Sequence, residues 1–383
     1  MNTIFQQWMA DAARSTRSGQ LGKATQTIQR ALREAAAAAR GGAPEAAPPG
    51  YRAAPHGADD PLVLDGLVRE IDGPEPAPSE GPADRAPGGM QERWQRASFS
   101  HQGRTLAFRL YLPPGPADAA ALRPMVVMLH GCTQNAEDFA AGTRMNLLAR
   151  DLGVVVLYPE QTQQANAQKC WNWFKPQHQR RGRGEPAVIA ALARSVAAEH
   201  RVDPARIYVA GLSAGGAMAD IAGHCYPDVF AAVGVHSGLP QGCAADVASA
   251  LAAMRSGQGS AVPPSRAQAL PTIVFHGDAD PTVHIRNAEV LVESVRSAGP
   301  APAAGAGQGA AHVTRGRSAR GAHHTRSVYT DASGRDTLEY WQLHGAGHAW
   351  SGGSASGSYT APDGVDASAE MLRFFLAHPR VVP

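Results

Sequence analysis

Gly211-Leu212-Ser213-Ala214-Gly215-Gly216 surrounds one serine in a way that suits a nucleophile. The apolar run Arg206-Ile207-Tyr208-Val209-Ala210 before it reads as a strand, and Met218-Ala219-Asp220-Ile221-Ala222 after it reads as a helix. A G-x-S-x-G between strand and helix is a sharp elbow. So tight a turn has no room for side chains at Gly211 and Gly215, and it holds Ser213 in a strained conformation. The hydroxyl is thereby projected off the sheet edge at a helix N-terminus, where unpaired N–H groups favour a developing oxyanion.

A serine hydroxyl is a poor nucleophile until a histidine takes its proton and an acid holds that histidine. Behind an elbow the order along the chain is serine, acid, histidine. Two later stretches fit: His276-Gly277-Asp278-Ala279-Asp280-Pro281-Thr282-Val283 and Gly345-Ala346-Gly347-His348-Ala349-Trp350, each directly after an apolar strand. Asp280 is the expected acid because it lies further along its loop, nearer His348; Asp278 is the alternative. An oxyanion also needs two backbone N–H donors. Ala214, next to the nucleophile, should supply one. Cys132, in the glycine-containing loop His130-Gly131-Cys132-Thr133-Gln134, should supply the other through its amide, its thiol being incidental. Trp171, Trp173 and Trp350 flank these stretches and are expected to offer flat apolar surface to a substrate.

The elements that must position these residues alternate between strand and helix. Residues 94–101 and 104–112 read as a hairpin about Gln102-Gly103, and Met125–Leu129 as a buried parallel strand. A helix over Asp138–Leu152, a strand over Val154–Tyr158 and a helix over Pro186–His200 lead to the elbow strand. Strands over Ala231–Val235 and Thr272–Phe275, an Ala/Gly-rich inserted loop over 298–322, a hairpin of Ser327–Thr330 with Thr337–Leu343, and a helix over Asp363–His378 complete the series. This is the pattern of a doubly wound α/β sheet.

Composition excludes several functions. A net charge of +2 in 383 residues does not point to nucleic acid. No apolar run approaches the roughly 18 residues that span a bilayer. The 15 histidines are scattered, with no metal-binding spacing, and no cofactor or metal is expected. Ile4, Phe5, Trp8 and Met9 are interrupted by Gln6, Gln7 and Asp11, so the N-terminus does not read as a secretory signal. Without such a signal, free thiols are expected at Cys132, Cys170, Cys225 and Cys243. Residues 1–40 read as an amphipathic helical segment with a basic excess. It would pack on the main domain or a partner, or lie on an apolar particle or membrane surface. Residues 41–90 read as a disordered Pro/Gly/Ala-rich linker, and 91–383 as the catalytic domain.

His130-Gly131-Cys132-Thr133-Gln134, Cys170-Trp171-Asn172-Trp173-Phe174, the Ser213 elbow, His236-Ser237-Gly238 and Gly347-His348-Ala349-Trp350-Ser351-Gly352-Gly353 together resemble the poly(3-hydroxybutyrate) depolymerase family of esterases. The resemblance covers residues 95–380. It implies an α/β-hydrolase fold: a mostly parallel sheet with helices on both faces. It implies a serine esterase acting on short-chain polyhydroxyalkanoates or their oligomers, with Ser213, Asp280 and His348 as triad and Cys132 at the oxyanion hole. Feruloyl and acetylxylan esterases share the family, so a carbohydrate ester is the alternative substrate, and a non-catalytic granule-surface protein is the rival from another class. Secreted depolymerases usually carry a signal peptide, a linker and a C-terminal binding domain. This chain instead resembles intracellular members, which implies a cytoplasmic place with granule association through residues 1–40, extracellular action being the alternative.

Overall fold

Strands rich in Val, Met, Ile and Tyr build a mixed sheet whose order is β1-β2-β3-β5-β4-β6-β7-β8-β11-β10-β9. These strands are β1 (Arg69–Glu70), β2 (Arg93–His101), β3 (Arg104–Leu112), β4 (Arg123–Leu129), β5 (Val155–Glu160), β6 (Val202–Leu212), β7 (Ala232–His236), β8 (Thr272–Gly277), β9 (His312–Arg317), β10 (His323–Thr330) and β11 (Asp336–Leu343). The central run from β5 to β11 is parallel throughout, and the flanking strands pair antiparallel. The computed structural model describes residues 69–70, 91–115, 121–257, 270–298, 311–331 and 334–380. The helical segment expected over 1–40, and the linker apart from Arg69–Glu70, lie outside the described residues.

The period of two in the central strands divides the core between the two faces of the sheet. Met125, Val127 and Leu129 of β4 join one cluster, with helices α3 (Gly184–Glu199), α4 (Ala214–Cys225), α5 (Val247–Ser256) and α6 (Arg286–Arg296). Val126 and Met128 join the other, with α1 (Ala136–Thr143), α2 (Met145–Leu152) and α7 (Ala367–Leu376). Both faces being covered explains why these strands are almost wholly apolar. Two small parallel strands, β12 (Trp350–Ser351) and β13 (Thr360–Ala361), stand apart from the main sheet. No helix among the described residues is long and apolar enough to cross a membrane.

Three expectations need correction. The single helix over Asp138–Leu152 is two helices: Arg144 sits between them at φ 55°, in the left-handed region, and its N–H closes onto Ala140 O. Its guanidinium meets the Asp366 carboxylate at 2.7 Å, an ion pair that periodicity cannot reveal. The inserted loop over 298–322 contains strand β9, which pairs with β10, and β10 itself begins at His323 rather than at Ser327. Polar, exposed edge strands such as this lack the apolar alternation by which strands are recognised. Finally, α7 is shorter than its expected range, because Asp366 caps it by accepting from the Ala369 N–H.

Candidate active site

Strand β6 delivers Ser213 to the C-terminal edge of the parallel sheet, and α4 starts immediately after it. Ser213 has φ 58° and ψ −119°, the strained elbow expected of its neighbours. A Cβ on Gly215 would lie 2.0 Å from Leu129 O, and one on Gly211 would lie 2.4 Å from the Gly215 carbonyl group. The turn therefore closes only with glycine at both places. The Ser213 N–H donates to His236 O at 2.9 Å.

Asp280 follows β8, and His348 lies between β11 and β12, so both stand at the same sheet edge as Ser213. Asp280 Oδ2 and His348 Nδ1 are 2.7 Å apart. The other carboxylate oxygen accepts from the N–H groups of Thr282 at 2.8 Å and Val283 at 2.9 Å. Burial pushes the Asp280 carboxyl up, but the His348 bond and charge, the Val283 amide and His276 outweigh it and hold the group below its ordinary value. The alternative acid, Asp278, is engaged elsewhere: it takes His344 Nδ1 at 2.8 Å and the Gly345 N–H at 2.7 Å in a more exposed turn.

The loop after β4 lies against the elbow, since a Cβ on Gly131 would be 3.7 Å from Ser213 Cβ. The Gly131 N–H donates to Gln134 Oε1 at 2.9 Å, and the Thr133 N–H to Gln168 O at 2.6 Å. The Cys132 N–H between them has no acceptor among the described residues. Ala214 opens α4, where helical N–H groups lack internal partners. Beneath this loop lies a buried polar network. Glu185 accepts from Gln161 Nε2 at 2.7 Å and from the Asn172 N–H at 2.7 Å, and the Gln161 N–H donates to His130 Nε2 at 3.1 Å.

Cys132 and Cys170 form a disulfide, which corrects the expectation of free thiols at these two positions. The Thr133–Gln168 bond brings the two loops together, a juxtaposition invisible at a separation of 38 residues. Cys225 and Cys243 are free and buried. The tryptophans also need correction as substrate surfaces. Trp171 and Trp350 are fully buried and Trp173 nearly so. Trp350 packs edge-on against Phe139, stacks on His236 and donates Nε1–H to Ser368 Oγ at 3.0 Å. Trp171 lies against His130, and Trp173 edge-on to Phe174. All three belong to the packing that fixes the loops.

Two residues at this edge went unassigned by residue-type reasoning. His236 ends β7 and, besides holding the Ser213 N–H through its carbonyl, accepts the Ser351 N–H at Nε2 across 3.0 Å. Its signals were its place at the end of an apolar strand and the His236-Ser237-Gly238 motif, neither of which gave it a role. Tyr359, between β12 and β13, remains 46% exposed with its hydroxyl 3.3 Å from Thr133 Oγ1. Nothing in its polar, glycine-rich surroundings marks it. Among the described residues no three His, Cys, Asp or Glu side chains are grouped to hold a metal ion.

The family model described as esterase PHB depolymerase matches residues 106–316, which contain Ser213, Asp280, Cys132 and Ala214, while His348 lies beyond the matched range. The chain is 38% identical over 164 residues to poly(3-hydroxyalkanoate) depolymerase C of Paucimonas lemoignei, covering 43% of this chain and 38% of that protein. It is 35% identical over 128 residues to feruloyl esterase B of Thermothelomyces thermophilus, covering 33% and 43% respectively. It is 27% identical over 221 residues to acetylxylan esterase A of Emericella nidulans, covering 53% and 70%. The chain thus spans less than half the length of the depolymerase and of the feruloyl esterase. Acetyl xylan esterase from Aspergillus awamori has a similar solved structure, with TM-score 0.53 at 18% identity over 71% of this chain and 94% of that one. The parallel sheet, the elbow and this likeness make the fold an α/β-hydrolase fold. With more than half of its residues matched by the model, the chain belongs to the esterase PHB depolymerase family.

Proposed function

We propose that the chain is a serine esterase with Ser213, His348 and Asp280 as its triad. The observation that carries this is the 2.7 Å pairing of Asp280 with His348 at the sheet edge where the elbow presents Ser213. With Nδ1 engaged by Asp280, Nε2 of His348 is the nitrogen that takes the Ser213 proton as Oγ attacks the ester carbonyl carbon. The ionised Asp280 stabilises the resulting imidazolium. The amides of Cys132 and Ala214 hold the tetrahedral oxyanion. The carbon–oxygen bond to the alcohol then breaks, and His348 protonates the departing oxygen. Water, deprotonated by His348, attacks the acyl-enzyme, releasing the acid and restoring Ser213.

The substrate is a short-chain polyhydroxyalkanoate or its oligomers, a reading supported by the family and by the depolymerase relative. The feruloyl and acetylxylan esterase relatives support a carbohydrate ester as the second reading. Fluorophosphonate labelling that Ser213→Ala abolishes tests the nucleophile, and an unlabelled wild-type protein would sink the proposal. Turnover of amorphous polyhydroxybutyrate granules, hydroxybutyrate oligomers and methyl ferulate then separates the substrates. The amphipathic pattern of residues 1–40 supports a granule-surface arm, whereas the Cys132–Cys170 disulfide favours the extracellular alternative over a cytoplasmic place. Deleting residues 1–90 would lower granule hydrolysis by roughly ten-fold and spare a soluble short-chain ester. Equal activity of the two proteins on granules would remove that role.

A further inference from the structure

Tyr359 combines exposure with strain. Its φ is 52°, in the left-handed region that a side chain with a Cβ occupies only when its surroundings impose it. Both of its flanks are fixed. Its carbonyl accepts the Trp350 N–H at 2.7 Å, two residues beyond His348. The Ser358 N–H and hydroxyl donate to Asp138 at 2.9 and 2.5 Å, and Ser358 O accepts from Gln134 Nε2 at 3.1 Å. Gln134 is the residue whose Oε1 holds the Gly131 N–H. One hydrogen-bonded chain therefore positions both the candidate oxyanion loop and Tyr359. An aromatic side chain left 46% exposed on a fixed backbone contributes little to the core, and function is the explanation for bearing the strain.

We infer that Tyr359 determines specificity by offering its ring face to the aliphatic acyl chain of the ester. The inference rests on the serine-esterase reading and names a part of its substrate. In that reaction the leaving oxygen must face His348, which protonates it. The carbonyl oxygen faces the Cys132 amide, so the acyl carbon bonded to the same carbonyl lies beside the 131–134 loop, where the Tyr359 hydroxyl meets Thr133. A ring there removes methylenes from water and cannot reach the methyl of an acetyl group equally well.

The experiment compares p-nitrophenyl acetate, butyrate and octanoate on the full chain with Tyr359, Tyr359→Phe and Tyr359→Gly. Glycine accepts the positive φ without strain, so this variant removes the ring while easing the backbone. The butyrate-to-acetate ratio of kcat/KM should fall about ten-fold in Tyr359→Gly, chiefly through KM, and stay near wild type in Tyr359→Phe. An unchanged ratio in Tyr359→Gly, or equal losses on both esters, overturns the inference. Fluorophosphonate labelling of all three proteins distinguishes the failures. Labelled proteins with an unchanged ratio remove only the role of Tyr359, whereas an unlabelled wild type removes the esterase reading beneath it.

Discussion

The backbone N–H of Ser351 donates to His236 Nε2 across 3.0 Å, and the carbonyl of the same histidine takes the Ser213 N–H at 2.9 Å. One buried residue thus ties the elbow to the strand that follows His348. For Nε2 to accept, the ring proton must sit on Nδ1, which lies 3.3 Å from Ser237 Oγ. Burial, with His276 and His348 nearby, pulls the His236 imidazole down to about 3, which keeps the acceptor available near neutrality.

Replacing His236 by Leu would leave the buried Ser351 N–H without a partner, costing roughly 1–3 kcal/mol. Because the released strand follows His348, kcat should fall by about ten-fold or more with KM little changed. His236→Gln presents an amide oxygen near the lost nitrogen and should recover part of the loss. Steady-state kinetics beside melting temperatures decide this, and a His236→Leu protein with wild-type kcat would show the tie to be idle.

The two aspartates should part company. Asp280→Asn is expected to lose most turnover of p-nitrophenyl butyrate, on the order of 10³-fold or more, by upsetting the His348 tautomer. Asp278→Asn should stay near wild type in kcat, since Asp278 serves His344 and the Gly345 turn. The opposite pattern would move the acid to Asp278. Ser213→Ala and His348→Ala should each abolish turnover while circular dichroism remains unchanged.

The Cys132–Cys170 bridge closes a loop of 38 residues and should contribute roughly 4 kcal/mol to stability. Of the four cysteines, the native oxidised chain should yield two titratable thiols after denaturation and four after reduction. Reduction, or Cys132→Ser, should lower both the melting temperature and kcat, since the tethered loop carries the Cys132 amide. Four thiols without reductant, or a reduced enzyme indistinguishable from the oxidised one, would refute the bridge or its relevance.

Acid should weaken the fold well above the carboxylate range. His130, His236 and His276 are buried, and burial is the largest of the influences lowering each below its ordinary value of 6.5. As pH falls through 6.5, the unfolded chain binds protons that the folded chain refuses, so stability declines. Each such histidine contributes a slope of about 1.4 kcal/mol per pH unit until its folded value is reached. Depressed carboxylates such as Asp280 add their loss only at lower pH, as it falls through their folded values. Urea midpoints at pH 7 and 5.5 check this: His236→Gln should show the shallower decline, and a flat response in the wild type would contradict the burial of all three.

The elbow was legible because its cause is local: Gly211 and Gly215 are dictated by a turn of a few residues. The parallel strands were legible because burial on both faces writes itself as unbroken apolar runs. The choice of Asp280 over Asp278 rested on loop position alone; the 2.7 Å approach of Asp280 Oδ2 to His348 Nδ1 is a tertiary encounter that the sequence does not record. What sequence could not show depends on tertiary encounter. Trp350 reads the same whether it faces a polymer or Phe139, and only packing decides. Cys132 meets Cys170 through loops adjacent in space but not in the chain. Tyr359 is defined by where it stands, between two loops, and no periodicity records that.

The outermost strand of the sheet, β9, has one side of its backbone ladder without a neighbouring strand among the described residues. Such an edge invites a second chain to continue the sheet. Here the edge carries His312, Arg315 and Arg317, all exposed, with no carboxylate among its own residues. Two copies approaching edge to edge would bring guanidinium against guanidinium before any ladder could form. The strand thus carries its own guard against fibrous self-association, and this protection should weaken as salt screens the arginines.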